Sequence, residues 1–556
     1  MIGVVAYPGD YVLVREFFEL FKTPWEFYRS EEQYEVLLCA REDVSVLGAS
    51  AKLVVVYAGQ ETLLDEVDKI EITSHRKRGA LSYKGGRLPV YGNHITFLTK
   101  GISLLKDEES QQAVGSLVKS GSKVVARIGY DLFQEIRVLL TDGQPPENAG
   151  IPTLELHIAV LRDLIVDSDV PLVEIPPIPE GHTFIACLTH DVDHPSIRKH
   201  KWDPTMFGFL YRAVIGSILG VLKGRVPVRH LMTNWAAAAR LPFIYLGLAK
   251  DFWYEFDRYL AIEKDVDSTF FVLPFKNKPG RLASGLAPRI RASGYGAADI
   301  AERLQTFVSA GREIGLHGID AWIDSAKGQE EMAQITNITG GQNIGVRMHW
   351  LYFDDDHSPL TLEKAGFSYD STVGYNQTIG YRTGTAQVYK QLQTTNLLEL
   401  PLHVMDTALF YPDYLNLTFE EADRRIGDIV NYARQFGGAV TFNWHDRSIA
   451  PERLWGEFYA GLICELKRKG AWCSSAGSVV SWFQYRRSVL FKRAGHGVEI
   501  TRTKMDIASG KNVPGLRLRV YNLGKACDNS SQRYADSTLN GDMIIRLDSR
   551  SLVTHN

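Results

Sequence analysis

The sequence predicts an α/β protein whose chemistry sits on one parallel sheet, and three observations predict it. Between about residues 180 and 487, short apolar runs alternate with helical segments. Such alternation lays strands side by side in parallel, as an open sheet or closed into a barrel. Several of the runs end in His or Asp, and the carboxyl ends of parallel strands are where these folds gather their active sites.

The strand runs in order are Phe184–Leu188, Thr269–Leu273, Glu313–Leu316, Ile344–Met348, Leu397–Leu400 and Ala439–Phe442. Helical patterns lie between or after them, for instance at Glu420–Phe436 and Pro451–Lys469. Residues 1–178 precede this block. They hold a β-like run, Leu53–Tyr57, and a helix-like segment, Asp131–Leu140, and carry no catalytic motif, so an α/β accessory domain is expected. The proline cluster Ile175-Pro176-Pro177-Ile178-Pro179 is a stiff linker composition and marks the boundary. Residues 488–556 alternate like strands (Leu516 to Tyr521) and show no helical period. They read as a small β module with a frayed end.

Composition narrows the function. The chain has 556 residues, with 62 basic against 65 acidic side chains and a net charge of −3. Apolar residues at 45% and charged ones at 23% exclude a disordered or fibrous chain. The charge offers no footprint for nucleic acid. Five cysteines (Cys39, Cys187, Cys464, Cys473, Cys527) form no C-x-x-C pair and read as reduced thiols. No basic start followed by an apolar stretch opens the chain, so a soluble cytoplasmic protein without a transmembrane segment is expected. Met206–Leu222 contains Arg212 and falls short of the ~20 apolar residues of a span. Phe207, Leu210, Val214, Ile218 and Val221 recur there at helical spacing. The segment reads as an inserted helix packing on its own domain, with peripheral contact to a membrane or a lipid-linked substrate as the alternative.

The chemistry starts where Phe184–Thr189 runs into His190-Asp191-Val192-Asp193. On an extended strand, Asp191 and Asp193 point to the same side. Two carboxylates that close need a proton or a cation between them, unless they simply form a solvated turn. Further strand ends add His317, His349 and His445. Histidines and carboxylates converging on one face suit a divalent ion such as zinc that keeps a position open for water. A spare carboxylate can then act as base and a spare histidine as acid.

Taken in order, these motifs resemble those of the polysaccharide deacetylase superfamily (carbohydrate esterase family four), over about residues 180–487. The resemblance implies an irregular (β/α) barrel, a divalent metal, with zinc first, and removal of acetyl groups from N- or O-acetylated sugars or polysaccharide. Thr189 to Asp193 is similar to the first motif, which makes Asp191 the base and Asp193 a metal ligand. His317 matches the first histidine of the second motif, but the position four later is Ala321. Arg347-Met348-His349-Trp350 resembles the third motif, whose arginine pairs with the base and would lower its pKa; His349 is inferred to supply the missing ligand. Gly366 to Thr372 resembles the fourth motif, implying that Asp370 supports the acid histidine. Asn443-Trp444-His445 resembles the fifth, making His445 the acid. Trp322, Trp350, Tyr352, Tyr375 and Trp444 lie near these motifs, and Gly380-Tyr381-Arg382 looks like another strand end of the family. Trp350, Tyr375, Arg382 and Trp444 are the candidate sugar contacts.

Three rival readings stay open: a glycosyltransferase using Asp191 and Asp193 to grip a metal–phosphate, an amide hydrolase acting on a small non-sugar molecule, and a non-catalytic carbohydrate-binding relative. The first leaves His317, His349 and His445 unexplained.

Overall fold

The computed structural model describes residues 1–41, 50–98, 101–224, 227–282, 284–450, 453, 455–495, 497–503, 513–522, 533–539 and 541–546. The chain divides into two compact units. One comprises Met1–Gly181, Tyr381–Leu392 and Ser481–Asn556; the other comprises His182–Gly380 and Gln393–Val480.

The first unit is built on a nine-stranded sheet. Strands 2–5, 25–27, 36–39, 53–57 and 123–128 run parallel, and 71–83, 86–98, 102–107 and 113–120 extend the sheet as an antiparallel meander. Leu53–Tyr57 is fully buried, as its continuous apolar run requires in a parallel sheet. Asp131 caps helix Leu132–Leu140 by accepting from the main-chain N–H groups of Phe133 and Gln134. The separate C-terminal module expected from sequence is corrected here. Strand Arg517–Tyr521 pairs antiparallel with Leu172–Glu174, so its alternating residues complete the first unit. Cys527 and residues 547–556, including much of the expected frayed end, lie outside the described residues.

The second unit carries an all-parallel sheet. Its strands are β1 (Phe184–Val192), β2 (Thr269–Val272), β3 (Glu313–Gly318), β4 (Gly345–Met348), β5 (Tyr369–Asp370), β6 (Leu398–Glu399), β7 (Val404–Met405), β8 (Ala439–Asn443) and β9 (Ala471–Ser474). Their order is β6-β5-β4-β3-β2-β1-β8-β7, with β9 also pairing the start of β1. The sheet is a half-barrel, so its strand ends converge. All nine residues of the central β1 are buried. Cys187 lies inside it, and burial pushes its thiol pKa far up, so it packs and does not react. Helices Phe419–Phe436 and Trp455–Arg468 fall where the helical periods put them, except that Pro451, Glu452 and Leu454 are outside the described residues.

Between β1 and β2 the chain inserts a helical hairpin. Helix α1 (Pro204–Leu210) continues through a π-helical stretch, Tyr211–Gly216, into α2 (Ser217–Leu222), and α3 (Val228–Tyr245) returns. Met206, Phe209 and Ala213 pack with Ala237, Leu241, Ile244 and Trp253. The inserted segment therefore does pack on its own domain. The apolar stripe read from the sequence is not the buried one, however: Phe207 and Val214 are exposed.

Candidate metal centre

Asp191 ends β1 and Asp193 follows two residues later, both on the cleft side. His190, between them in the chain, is fully buried, and its two ring nitrogens are used by the Trp444 carbonyl and Glu263, each at 2.7 Å. That pair pins the strand end without entering the site.

Asp193, His317 and His349 bring one ligand atom each to within 4.8 Å of one another. His317 Nε2 lies 3.4 Å and His349 Nε2 3.6 Å from Asp193 Oδ1. That oxygen is buried and has no hydrogen-bond donor among the described residues. An uncompensated buried carboxylate oxygen is costly, and a cation between the three groups would relieve the cost. His317 Nδ1 donates to the Arg347 carbonyl at 3.0 Å, which fixes the tautomer and turns Nε2 toward the cluster. The donor set, one carboxylate oxygen and two imidazole nitrogens, fits zinc or a similar divalent ion.

Ala321, where a second motif histidine was sought, is fully buried against the helix Ser325–Thr339. Gly328 of that helix lies beside the Ala321 methyl. His349 comes instead from the end of β4, and the backbone there is constrained. Trp350 and Leu351 follow it with φ of 64° and 53°, and Arg291 Nη2 grips the His349 carbonyl at 2.7 Å. Two consecutive left-handed non-glycine residues mark stored strain at a site held by its surroundings.

Asp191 is clamped from two sides. Arg347 Nη1 donates to Oδ1 at 3.0 Å and Asn443 Nδ2 to Oδ2 at 2.7 Å, while the Asp191 main-chain N–H donates to Asn443 Oδ1 at 3.1 Å. Arg347 is itself fully buried and spends its other donors on Thr189 Oγ1, Ser371 Oγ and the Ser371 carbonyl. Asp446 accepts from the main-chain N–H groups of Asp193 and His194 and so fixes the acid pair's backbone. Burial, then the Asp193 charge, raises the Asp446 pKa to about 6.

His445 faces the cluster from the end of β8, with Nε2 3.7 Å from Asp193 Oδ2. Its Nδ1 donates to Asp406 Oδ1 at 2.6 Å, and its main-chain N–H donates to Asp406 Oδ2 at 2.7 Å. Burial works against the charged ring, but Asp406, Asp193 and Asp191 together outweigh it, Asp406 foremost, and lift the pKa to about 10. The carboxylate supporting His445 is thus Asp406, a correction to the expectation for Asp370. Asp370 is fully buried on β5, where it accepts from Thr372 Oγ1 at 2.5 Å. Asp406 went unrecognised because β7 is only two residues long. Its signal, a carboxylate directly after an apolar pair, is the strand-end pattern in its shortest form.

The cleft encloses about 540 Å³ and is lined by Asp191, Asp193 and the three histidines, together with Trp350, Tyr352, Tyr411 and four arginines. The arginines Arg212, Arg291, Arg447 and Arg453 were not foreseen. Burial opposes ionisation of Tyr411, but Arg453, Arg447 and His445 together outweigh it and bring the phenol down to about 7. Of the expected sugar contacts, Trp350 lines the cleft and is 39% exposed. Trp444 does not: it is fully buried and stacked on Tyr459 and Phe458. Tyr375 is buried and is not part of the lining. Arg382 belongs to the first unit, where its carbonyl accepts from the Gln144 main-chain N–H. A second cavity, of about 570 Å³, opens in the first unit at the ends of its parallel strands. Its Asp131 caps a helix and its His94 is paired with Asp107, so the reactive constellation is the one on the half-barrel.

No family profile and no curated protein matches the chain. Among solved structures it is similar to a Mycobacterium smegmatis protein assigned as a polysaccharide deacetylase. Identity is 19% over 59% of this chain and 99% of that one, with a TM-score of 0.35. It is also similar to the Puue allantoinase (15% identity, 55% and 91% of the two chains, TM-score 0.33). A third likeness is to a carbohydrate esterase family four pseudoenzyme from Bacillus anthracis (12% identity, 42% and 62%, TM-score 0.23).

Proposed function

We propose that the second unit is a divalent-metal hydrolase that removes acetyl groups from N-acetylated or O-acetylated sugars or polysaccharide. The observation that carries this reading is the convergence of Asp193, His317 and His349 on an unpartnered buried carboxylate oxygen, with Asp191 and His445 beside it. Those three side chains would hold the ion, which when bound polarises a carbonyl and acidifies water.

Asp191 acts as the general base. Each of its oxygens takes one hydrogen bond, from Arg347 or Asn443, so the carboxylate is oriented and still has lone pairs for a proton from the attacking water. His445 acts as the general acid: Asp406 holds Nδ1, and Nε2 faces the cleft to protonate the leaving amine or alcohol. The half-exposed Trp350 ring supplies a flat apolar face for a sugar. A cytoplasmic compartment suits the four described cysteines, which form no disulfide among the described residues.

The test is acetate release from N-acetylated chito-oligosaccharides by zinc-reconstituted protein, with metal content measured in parallel. Asp191→Asn should keep the metal and lose turnover by at least a hundredfold, whereas Asp193→Asn should lose the metal. The four arginines lining the cleft favour a second reading, hydrolysis of a small acidic amide. Release of ammonia from such amides without acetate from sugars would select it. Metal binding with neither product would leave a carbohydrate-binding relative.

A further inference from the structure

The helical hairpin between β1 and β2 presents an outer face with a composition unlike the rest of the surface. Between Asp203 and Asp251 the sequence has no acidic residue, yet it holds Arg212, Lys223, Arg225, Arg229, Arg240 and Lys250. The chain as a whole carries −3. The same stretch exposes large apolar side chains at helical spacing. On the first arm these include Phe207, Tyr211 and Leu222, 53, 57 and 77% exposed; on α3 they include Met232, Trp235 and Phe243, 70, 48 and 54% exposed. More than a third of the large apolar side chains exposed among the described residues lie within 202–248. The opposite faces of the helices are already buried against one another and against Trp253, so the outer stripe is not a core surface turned outward.

We propose that this hairpin is a monotopic anchor that lies in the interface of an anionic lipid bilayer. An apolar stripe with aromatic residues, on a segment whose own charged side chains are all basic although Arg229 pairs with Glu457 at 3.1 Å, is complementary to an acyl boundary beneath negatively charged headgroups. The anchor lies on the bilayer and does not cross it. Residues 204–222 are long and apolar enough to span, but Arg212 sits in their middle and lines the catalytic cleft together with Pro204 and Thr205. A spanning helix would carry those residues away from Asp193 and the histidines. The hairpin thereby brings the cleft mouth to the lipid surface. If the deacetylase reading holds, on which this last step rests, the substrate class is an acetylated sugar carried on a lipid.

The experiment is co-sedimentation of the full chain with sucrose-loaded vesicles, either 30% phosphatidylglycerol in phosphatidylcholine or phosphatidylcholine alone. Wild-type protein should partition at least tenfold more strongly to the anionic vesicles, and the preference should shrink between 0.1 and 0.5 M NaCl. The variant L222E/M232E/W235E should lose at least tenfold in partitioning while its acetate release from a soluble oligosaccharide stays unchanged. Equal partitioning of wild type and variant overturns the anchor. So does failure of wild type to sediment combined with a variant-induced dimer-to-monomer change in gel filtration, which would assign the stripe to contact between copies. Vesicle binding without acetate release from any sugar would keep the anchor and remove the deacetylase reading.

Discussion

Replacing Asp406 by Asn removes one charge and almost no volume, so it isolates what that charge does for His445. The carboxylate holds the ring at 2.6 Å and its main-chain N–H at 2.7 Å. Burial alone would lower the His445 pKa; Asp406 is the largest opposing influence in a balance that stands at about 10. A dication on Asp193 would cancel that aspartate's share and leave Asp406 as the main support. With Asn in its place, His445 should return to its ordinary value of about 6.5 or fall below it. At pH 8 the protonated fraction then drops roughly thirtyfold, equivalent to about 2 kcal/mol in the barrier. The assay is kcat for acetate release from pH 5.5 to 10. Wild type should lose its acid only on the far alkaline side, while Asp406→Asn should decline from near pH 6.5 upward. Coincident alkaline limbs would refute the assignment of His445 as the acid charged by Asp406. Stability follows with a definite sign. The folded pKa of His445 lies above its unfolded value, so its stabilisation is complete below about pH 6.5 and is lost as pH rises toward about 10. Wild-type melting temperature should fall across that window, and the variant's should be flatter.

His349→Ala should weaken zinc affinity at least tenfold in a chelator competition titration, and unchanged affinity would remove His349 from the ligand set. Trp444→Ala should cost about 3–5 kcal/mol, because it empties a stacked core position. Trp350→Ala, at a cleft-lining ring, should raise KM severalfold with little change in melting temperature. Arg347→Met should unfold the site by stranding Asp191 and should cost about 3 kcal/mol or more in denaturant unfolding, the measurement that also checks Trp444→Ala.

The parts of the site legible in the sequence share one property: each lies at the end of an apolar run long enough to be read as a strand. Asp191, His317, His349 and His445 all do. Asp406 follows two strand residues only, and Asp370 stands in a motif whose resemblance points to the wrong neighbour for His445. Aromatic residues were the least legible. Trp350 and Trp444 each stand next to a strand-end histidine, and only packing separates the cleft wall from the core.

By itself, the sequence determined the parallel order of chemistry-bearing strands, the pairing of an acid pair with three histidines, and a near-neutral charge that offers no footprint for nucleic acid. Those are properties of composition and period, and they survive any arrangement of the chain in space. Tertiary structure decided the rest. It set which carboxylate pairs with His445, which histidine joins Asp193 and His317 in one cluster, and on which side the helical hairpin turns its apolar stripe. Each of these depends on contacts between residues tens to hundreds of positions apart, and no local pattern carries the distance between them.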